Sequence, residues 1–293
     1  MEILILGGTR LMGIHLVEEL LLQGHRITIA TRGITKDNFG NRVERIITER
    51  TDGEALGSLF KGRYYDVVCD SLAYCSNDVK ALLEAVRCGR YVMISSASVY
   101  NEQLDIKEED FDPYTYPLKW CGRTDFSYDE IKRQAECALF QYYKDQPAVA
   151  VRFPFVIGKD DYTKRLYYYV EGIIKGIPMN IDNRDAQLSF INSKTAGSFL
   201  AWLAQGTYSG AVNGSSTGTI SMREVIEYVE AKTGRTAIYS PDTNGAPYNG
   251  AKDFSLNTER AKRYGFRFTA LKSWIYELLN DYINMVTQDS KAL

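Results

Sequence analysis

Short apolar segments alternate with segments of helical spacing along the first half of the chain. The apolar run at residues 3–6 ends in glycines and is typical of a strand buried on both faces. Apolar positions at helical spacing predict a helix over residues 11–22, which Gln23 and Gly24 end. Further strands are predicted at residues 27–30, 45–48, 66–69, 91–94 and 148–152, and further helices at 77–86 and 128–143. This alternation predicts an α/β fold with a parallel sheet and helices on both of its faces.

The pattern changes after Pro154, where glycine, proline and tyrosine interrupt shorter periodic segments. Two late helices are predicted at residues 222–233, with Ser221 as the N-cap, and at 271–285, with a loop at 239–250 between them. We expect a nucleotide-binding domain over residues 1–154, to which the chain returns around 185–218. Residues 155–293 are expected to form mainly a smaller lobe that binds the substrate and closes over the strand ends.

Composition and charge exclude several classes of protein. The 293 residues include 35 Lys and Arg against 37 Asp and Glu, so the formal charge is −2. This balance argues against a nucleic-acid partner, since nucleic-acid binders usually carry a basic excess. Only two histidines occur, His15 and His25, which argues against Ser-His-Asp hydrolysis and multi-histidine metal sites. No metal site is predicted, and the chemistry is expected to use other groups.

Cysteine usage and the N-terminus bear on location. Five cysteines without a CxxC pair indicate reduced thiols in a cytoplasm. The N-terminus lacks the basic segment of a signal peptide, and no stretch reaches the ~20 apolar residues that a membrane helix needs. We expect a soluble cytoplasmic protein with no membrane partner.

A glycine-rich turn lies between the first predicted strand and the first predicted helix. At such a turn backbone N–H groups approach a pyrophosphate, and glycine is needed where a Cβ would block the approach. Glycine also serves purely structural turns, so the strand before it and the helix after it carry the argument. The residues expected to bind a dinucleotide here are Gly7, Thr9, Arg10, Leu11, Met12 and Gly13.

The end of the second strand bears on the choice of nicotinamide cofactor. An acidic residue there would bind the ribose 2′-hydroxyl of NAD, but Thr31 and Arg32 follow this strand instead. Arg32 could pair with a 2′-phosphate through its forked donors, and Arg10 could lie on the same side. The two arginines favour NADP, while a solvated Arg32, and with it NAD, stays the alternative.

Three residues form a candidate catalytic set. Tyr128 and Lys132 are four residues apart on the predicted helix 128–143, so they share one face, and a neighbouring ammonium lowers the pKa of a phenol. Ser96 lies in a serine-rich segment after the predicted strand 91–94, at the sheet edge where ligands bind. Each element alone has a structural explanation, because the chain has 21 tyrosines and a serine-rich turn can cap a strand.

Together these motifs resemble the extended short-chain dehydrogenase/reductases, the NAD(P)-dependent epimerase/dehydratase group that acts on nucleotide sugars. The resemblance implies a Rossmann-type, doubly wound parallel sheet with a smaller C-terminal substrate lobe, and it covers nearly the whole chain. The shared patterns are the glycine turn, Ser-Ser-x-x-Val-Tyr ending at Tyr100, Tyr-x-x-x-Lys-x-x-Ala-Glu from Tyr128 to Glu136, the segment from Arg152 to Gly158, and Asn213-Gly214-Ser215 with the later segment from Ile220 to Val225.

The resemblance also implies roles for individual residues. Tyr128 would be the acid/base tyrosine, Lys132 would lower its pKa and bind the nicotinamide ribose, and Ser96 would hold the substrate oxygen. Family members often pair through the helix that carries the tyrosine, which leaves a homodimer open. Epimerase, dehydratase and reductase chemistry stay open, as does the substrate. Further cofactor contacts are implied at Thr31, Arg32, Glu49, Arg50, Leu72 and Phe155, with Glu49 and Arg50 near the adenine edge.

The chain departs from the family pattern at several places. Arg10 stands at the usual middle glycine, Asp70-Ser71-Leu72-Ala73 replaces His-Leu-Ala-Ala, and Asn101 replaces a glycine. The Gly-Gly-Thr-Arg turn resembles a divergent branch that includes chloroplast stem-loop-binding proteins and bacterial sugar epimerases or reductases, some with lost or altered chemistry. The intact Tyr128, Lys132 and serine argue for retained activity. The alternative is a catalytically silent NAD(P)-binding regulatory or RNA-binding protein of the same fold.

Overall fold

A seven-stranded parallel sheet lies at the centre of the computed structural model, which describes residues 1–289. Its strands run in the spatial order β3-β2-β1-β4-β5-β6-β9. Two further strands, β7 at Phe155–Ile157 and β8 at Phe190–Asn192, form a small parallel sheet of their own. The strands of the large sheet are β1 Glu2–Leu6, β2 Arg26–Thr31, β3 Val43–Ile47, β4 Tyr64–Asp70, β5 Arg87–Ser96, β6 Ala148–Phe153 and β9 Gly210–Asn213.

Helices cover both faces of this sheet. Along β1, Ile3 and Ile5 belong to one apolar core and Leu4 and Leu6 to another, because successive side chains point to opposite faces. This explains the unbroken apolar run and confirms the predicted doubly wound α/β class. The helices are α1 Met12–Leu22, α2 Gly53–Phe60, α3 Ser76–Ala85, α4 Tyr128–Cys137, α5 Arg165–Lys175, α6 Ser193–Gln205, α7 Met222–Thr233, α8 Glu259–Arg263 and α9 Ile275–Asp289.

The predicted elements of the first half are present, with shifted boundaries. The strand expected at 45–48 runs over Val43–Ile47, and the helix expected at 128–143 ends as an α-helix at Cys137. A π-helical turn over Ala138–Tyr142 continues it, so the apolar spacing extends past the end of the α-helix. The prediction for α7 is confirmed. The Ser221 side chain accepts a hydrogen bond from the Glu224 N–H, and the Glu224 carboxylate accepts one from the Ser221 N–H.

The C-terminal half contributes to both parts of the molecule. Strands β7 and β8 and helices α5, α7 and α9 enclose a separate apolar core. Helix α6 instead packs on α1, and β9 pairs with β6 at the edge of the large sheet. Within residues 1–289, no helix has both the length and the hydropathy required to cross a membrane.

Candidate active site

The glycine turn between β1 and α1 has the backbone conformation that its sequence predicts. Gly7 and Gly8 have φ angles of 96° and 90°, values that favour glycine. A Cβ on Gly13 would lie 2.8 Å from the Gly8 Cα, so α1 approaches the turn too closely for any side chain there. Leu11 has a φ of 48°, which is uncommon for a residue with a Cβ and marks a strained position within the turn.

The N-terminus of α1 is suited to an anion. Its N-cap residue, Leu11, provides no side-chain hydrogen bond, and its first turn contains no acidic residue. The helix dipole favours a negative group at this end, where the N–H groups of Gly13 and Ile14 donate to the backbone oxygens of Arg10 and Leu11 at 3.0 and 3.1 Å. The turn also lies where the strand order reverses, between β1 and β4, which is the usual ligand crevice of such sheets.

The arginines near β2 lie in different surroundings. Arg10 Nε donates to Thr35 Oγ1 at 2.9 Å, in the loop after β2, and its guanidinium lies 4.8 Å from the ring centre of Tyr162. Arg32 is largely exposed and lies 4.0 Å from a carboxylate oxygen of Glu49. The structure therefore brings Arg10 to the loop that contains Arg32, and it also places an acidic side chain beside Arg32.

Arg50 lies beneath the sheet edge rather than on its surface. Its side chain is buried and donates to Asp70 Oδ2 at 2.7 Å and to the backbone oxygen of Asp78 at 2.6 Å. Burial disfavours the charge of Arg50, but the surrounding acidic groups, Asp70 foremost, together outweigh this effect and raise the pKa of the guanidinium. Leu72, the next predicted contact, donates its N–H to Asp70 Oδ1 at 2.8 Å. Nε and Nη1 of Arg50 are buried without a hydrogen-bond partner among the described residues.

A cleft of about 1010 Å³ runs from the glycine turn to the C-terminal lobe. Among the predicted site residues, it is lined by Leu11, Met12, Ser96, Tyr128, Lys132 and Phe155. The lining does not include the remaining predicted residues, which are Gly7, Thr9, Arg10, Gly13, Thr31, Arg32, Glu49, Arg50 and Leu72. Residues that the sequence motifs did not indicate also line the cleft, among them Tyr74, Tyr162, Arg165 and Lys252.

Tyr128 is the first residue of α4 and lines the same cleft as Ser96 at the end of β5. Desolvation within the cleft raises the pKa of Tyr128 above its ordinary value, while the Ser96 hydroxyl and the charge of Arg165 act in the opposite direction. The sequence predicts a pKa lowered by Lys132, so the structure differs from that expectation. Tyr128 keeps 50% of its surface exposed, so the cause is partial desolvation by the cleft, which disfavours the phenolate more than the surroundings stabilise it.

Lys132 is buried one helical turn after Tyr128. Its Nζ donates to the backbone oxygens of Ala73, at 2.8 Å, and Ile94, at 3.0 Å, so two of its three N–H groups are used. Burial lowers the pKa of Lys132 to about 8, although nearby carboxylates, Asp70 foremost, act in the opposite direction. The ammonium is therefore close to its titration point near neutral pH.

The model of the NAD dependent epimerase/dehydratase family matches residues 3–194 of this chain. That match spans strands β1 to β8, the glycine turn, and the helix that carries Tyr128 and Lys132. The chain belongs to the NAD dependent epimerase/dehydratase family.

Solved structures of similar fold include proteins in complex with nucleotides. MoeE5 in complex with UDP-glucuronic acid and NAD has a TM-score of 0.76 at 19% identity, covering 99% of this chain and 100% of that chain. The dTDP-glucose 4,6-dehydratase of Bacillus anthracis in complex with NAD has a TM-score of 0.74 at 18% identity, covering 99% and 98%. At these identities the likeness shows the fold.

A curated relative is the chloroplast stem-loop binding protein of 41 kDa b from Arabidopsis thaliana, 32% identical over 113 residues. The match covers 34% of this chain and 30% of that protein, so it spans less than a third of the relative's length.

Proposed function

We propose that the chain is an NAD(P)-dependent epimerase/dehydratase or reductase that acts on a hydroxyl or carbonyl group through Ser96, Tyr128 and Lys132. The observation that carries the proposal is that these three residues line one cleft with Leu11 and Met12 of the glycine turn. A substrate placed against Tyr128 would therefore lie close to a cofactor bound at that turn. The substrate proposed is a nucleotide sugar or a similar small molecule.

The residues of the turn fit a dinucleotide. The N–H groups at the start of α1, preceded by Gly7 and Gly8, would hold the pyrophosphate, and Lys132 would hold the nicotinamide ribose. When bound, the nicotinamide supplies a hydride acceptor and donor. Phe155 lines the same cleft, and its apolar ring would limit the access of water to a bound nicotinamide.

The chain's own groups handle the proton. Ser96 Oγ accepts from the Ser98 N–H at 3.1 Å, which fixes the hydroxyl at the end of β5, in the cleft that Tyr128 also lines. A substrate oxygen in this position can receive hydrogen bonds from both hydroxyls. The Tyr128 oxygen then gives up or takes the proton as the substrate oxygen changes between carbonyl and hydroxyl. The charge of Lys132 nearby favours the phenolate form during that exchange.

NADP is the cofactor that we propose, with NAD as the alternative. Arg10 is fixed to Thr35 and Arg32 follows β2, so two guanidinium groups lie near the loop after β2. A 2′-phosphate there could accept hydrogen bonds from both arginines. Glu49 supports the alternative. Its carboxylate lies 4.0 Å from Arg32 and could bind the ribose 2′-hydroxyl of NAD.

Substitution of Tyr128 tests the catalytic proposal. The protein is stripped of nucleotide, supplied with NADP or NAD, and assayed with UDP-glucose, UDP-glucuronic acid and dTDP-glucose by nicotinamide absorbance and by NMR of the sugars. Tyr128→Phe should lower turnover at least ~100-fold while cofactor binding is retained. Tyr142→Phe, at an exposed tyrosine in the following π-helical turn, is the matched control. Unchanged turnover in Tyr128→Phe would show that the proposed chemistry is wrong.

RNA binding is the second candidate, and the match to the stem-loop binding protein of Arabidopsis thaliana favours it. An electrophoretic shift with a structured RNA, abolished by added salt, would support it. The formal charge of −2 argues against it, since phosphate contacts need clustered basic groups. A shift that survives Tyr128→Phe while no sugar is turned over would favour the RNA-binding alternative.

A further inference from the structure

Tyr74 follows β4 and lies beside the Tyr128–Lys132 pair, although it belongs to none of the motifs discussed above. The centre of its ring is 4.7 Å from Lys132 Nζ, closer than the centre of the Tyr128 ring at 5.9 Å. The Tyr74 and Tyr128 rings also meet edge to face, with their centres 6.4 Å apart and their planes at 64°. Tyr74 therefore contacts both members of the proposed catalytic pair.

The position of Tyr74 is fixed by an ion pair. Its backbone N–H donates to Asp78 Oδ2 at 2.9 Å, and Arg123 Nε donates to the same oxygen at 2.9 Å. The Arg123 guanidinium lies 4.8 Å from the Tyr74 ring centre and donates through Nη2 to the backbone oxygen of Leu72 at 3.0 Å. The loop that supplies both the ring and the Ala73 carbonyl is thus held in one conformation.

The ring and the two carbonyls act on Lys132 in the same direction. A cation near the face of an aromatic ring is attracted to it only while it is charged. The Ala73 and Ile94 oxygens likewise accept most strongly from a charged ammonium. Burial acts in the opposite direction, and Lys132 has no side-chain carboxylate within ion-pair distance among the described residues.

We propose that Tyr74 is a positioning residue of this site, whose ring face holds the charged Lys132 ammonium beside Tyr128. The inference rests on the proposed function, since it explains how a buried lysine stays charged where Tyr128 exchanges a proton. The competing explanation is that Tyr74 only fills space against its apolar neighbours, Cys75, Cys121 and Ile131.

The test compares Tyr74→Phe, which keeps a ring, with Tyr74→Leu, which does not. Both variants lack the Tyr74 hydroxyl, so their difference reports the ring alone. Urea unfolding of the full chain is measured at about pH 7 and about pH 9.5, on either side of the Lys132 pKa of about 8. The ratio of the Leu to the Phe unfolding constants should be about fivefold larger at the lower pH, because only charged Lys132 is attracted to the ring.

The charged groups that act on Lys132 from the surrounding elements are Asp70 at the end of β4, Asp78 in α3, Glu136 in α4 and Arg123. The thiol of Cys75, whose pKa burial raises to about 11, and the phenol of Tyr128, whose pKa desolvation raises, also lie nearby, as does Cys121. All of these groups are present in both Tyr74 variants, so a Lys132→Met background is needed to assign a pH-dependent difference to Lys132.

The same two substitutions in a Lys132→Met background complete the cycle, and there the pH dependence of the ratio should vanish. A ratio that is equal at both pH values, or that keeps its pH dependence without Lys132, would overturn the proposal in favour of simple packing. If Tyr74→Leu does not fold, Tyr74→Met replaces it, since it also lacks a ring. Unfolding needs neither cofactor nor sugar, so these outcomes are separate from the failure or success of the proposed turnover.

Discussion

Arg152 of β6 and Glu136 of α4 form an ion pair from which solvent is entirely excluded. Arg152 Nη2 lies 2.5 Å from Glu136 Oε2, Nε lies 3.0 and 3.1 Å from the two carboxylate oxygens, and neither side chain has exposed surface. Ser95 Oγ, at the end of β5, also donates to Glu136 at 2.5 Å. The pair therefore joins β6, α4 and β5 directly behind Ser96 and Tyr128.

Glu136→Gln should destabilise the fold by about 3–5 kcal/mol, because it keeps the shape but leaves the charge of Arg152 buried without a counterion. Urea unfolding at neutral pH measures this loss. Glu84→Gln is the control, since Glu84 forms an exposed pair with Lys80 at 3.9 Å and should change stability by less than about 0.5 kcal/mol. A Glu136→Gln variant as stable as Glu84→Gln would contradict the prediction.

Gly13→Ala should destabilise the chain by about 1–3 kcal/mol, since the added Cβ would lie 2.8 Å from the Gly8 Cα and backbone cannot yield cheaply. Helix propensity alone predicts the reverse sign, a gain of about 1 kcal/mol on replacing glycine by alanine. Gly57→Ala within α2 isolates that gain, because no atom lies within 4 Å of its added Cβ. Thermal or urea unfolding of the two variants checks the opposite signs. Similar changes in stability for both variants would contradict the prediction, because they would mean that the glycine turn accommodates the added Cβ.

Arg32→Met and Arg10→Met should each weaken NADP binding about tenfold and leave NAD binding nearly unchanged, because a charge-assisted bond to a 2′-phosphate is lost. Calorimetry on protein stripped of nucleotide gives both affinities. Arg26→Met is the control, since this exposed arginine lies at the opposite end of β2 and pairs with Glu2. NAD that binds the unaltered protein more tightly than NADP would rule out the role of the two arginines.

Asp160→Asn should lower stability by about 1 kcal/mol at neutral pH, and the loss should shrink as the pH falls below about 4. Asp160 accepts from Ser193 Oγ at 2.6 Å and contacts His15 Nε2 at 3.0 Å. Burial raises the pKa of Asp160, but these two bonds outweigh it, so the pKa is lowered. A lowered carboxyl pKa stabilises the fold above the unfolded value of about 4 and loses its effect as the pH falls through the folded value.

Urea unfolding at about pH 7 and about pH 3 follows this difference, and Asp242→Asn in an exposed loop is the control. An Asp160→Asn loss that is the same at both pH values would mean that the aspartate contributes through packing and not through its charge.

The elements that could be predicted from sequence are those with local determinants. The glycines after β1 and the Ser221–Glu224 box before α7 act within a few residues, so both elements lie where their patterns indicate. The sequence gives no clear helical signal for α2, because its two glycines weaken the helical pattern of Gly53–Phe60. Helices α5 and α6 were missed because their apolar faces are defined by packing against α9 and α1.

The candidate site also combines features that follow from local sequence with features that only the tertiary fold creates. Tyr128 and Lys132 are four residues apart, so their common face follows from helix geometry. Tyr74 reaches them only through the fold, since Lys132 and Ala73 are 59 positions apart in sequence. The sequence motifs include Arg152, Tyr100 and Asn213, but the sequence does not show that these residues are hydrogen-bonded to one another. Arg152 donates to the Tyr100 hydroxyl at 2.7 Å, and that hydroxyl donates to Asn213 Oδ1 at 2.7 Å.

The close packing of α6 on α1 makes the two halves of the chain one cooperative unit. A Cβ on Gly197 of α6 would lie 2.5 Å from the Cβ of His15 of α1, so the helices touch almost backbone to backbone. A fragment ending at residue 154 would lack both α6 and β9, and it would expose the face of α1 around His15 and Leu16 that α6 covers. Such a fragment is expected to aggregate, and the intact chain to unfold in a single transition in which both cores are lost together.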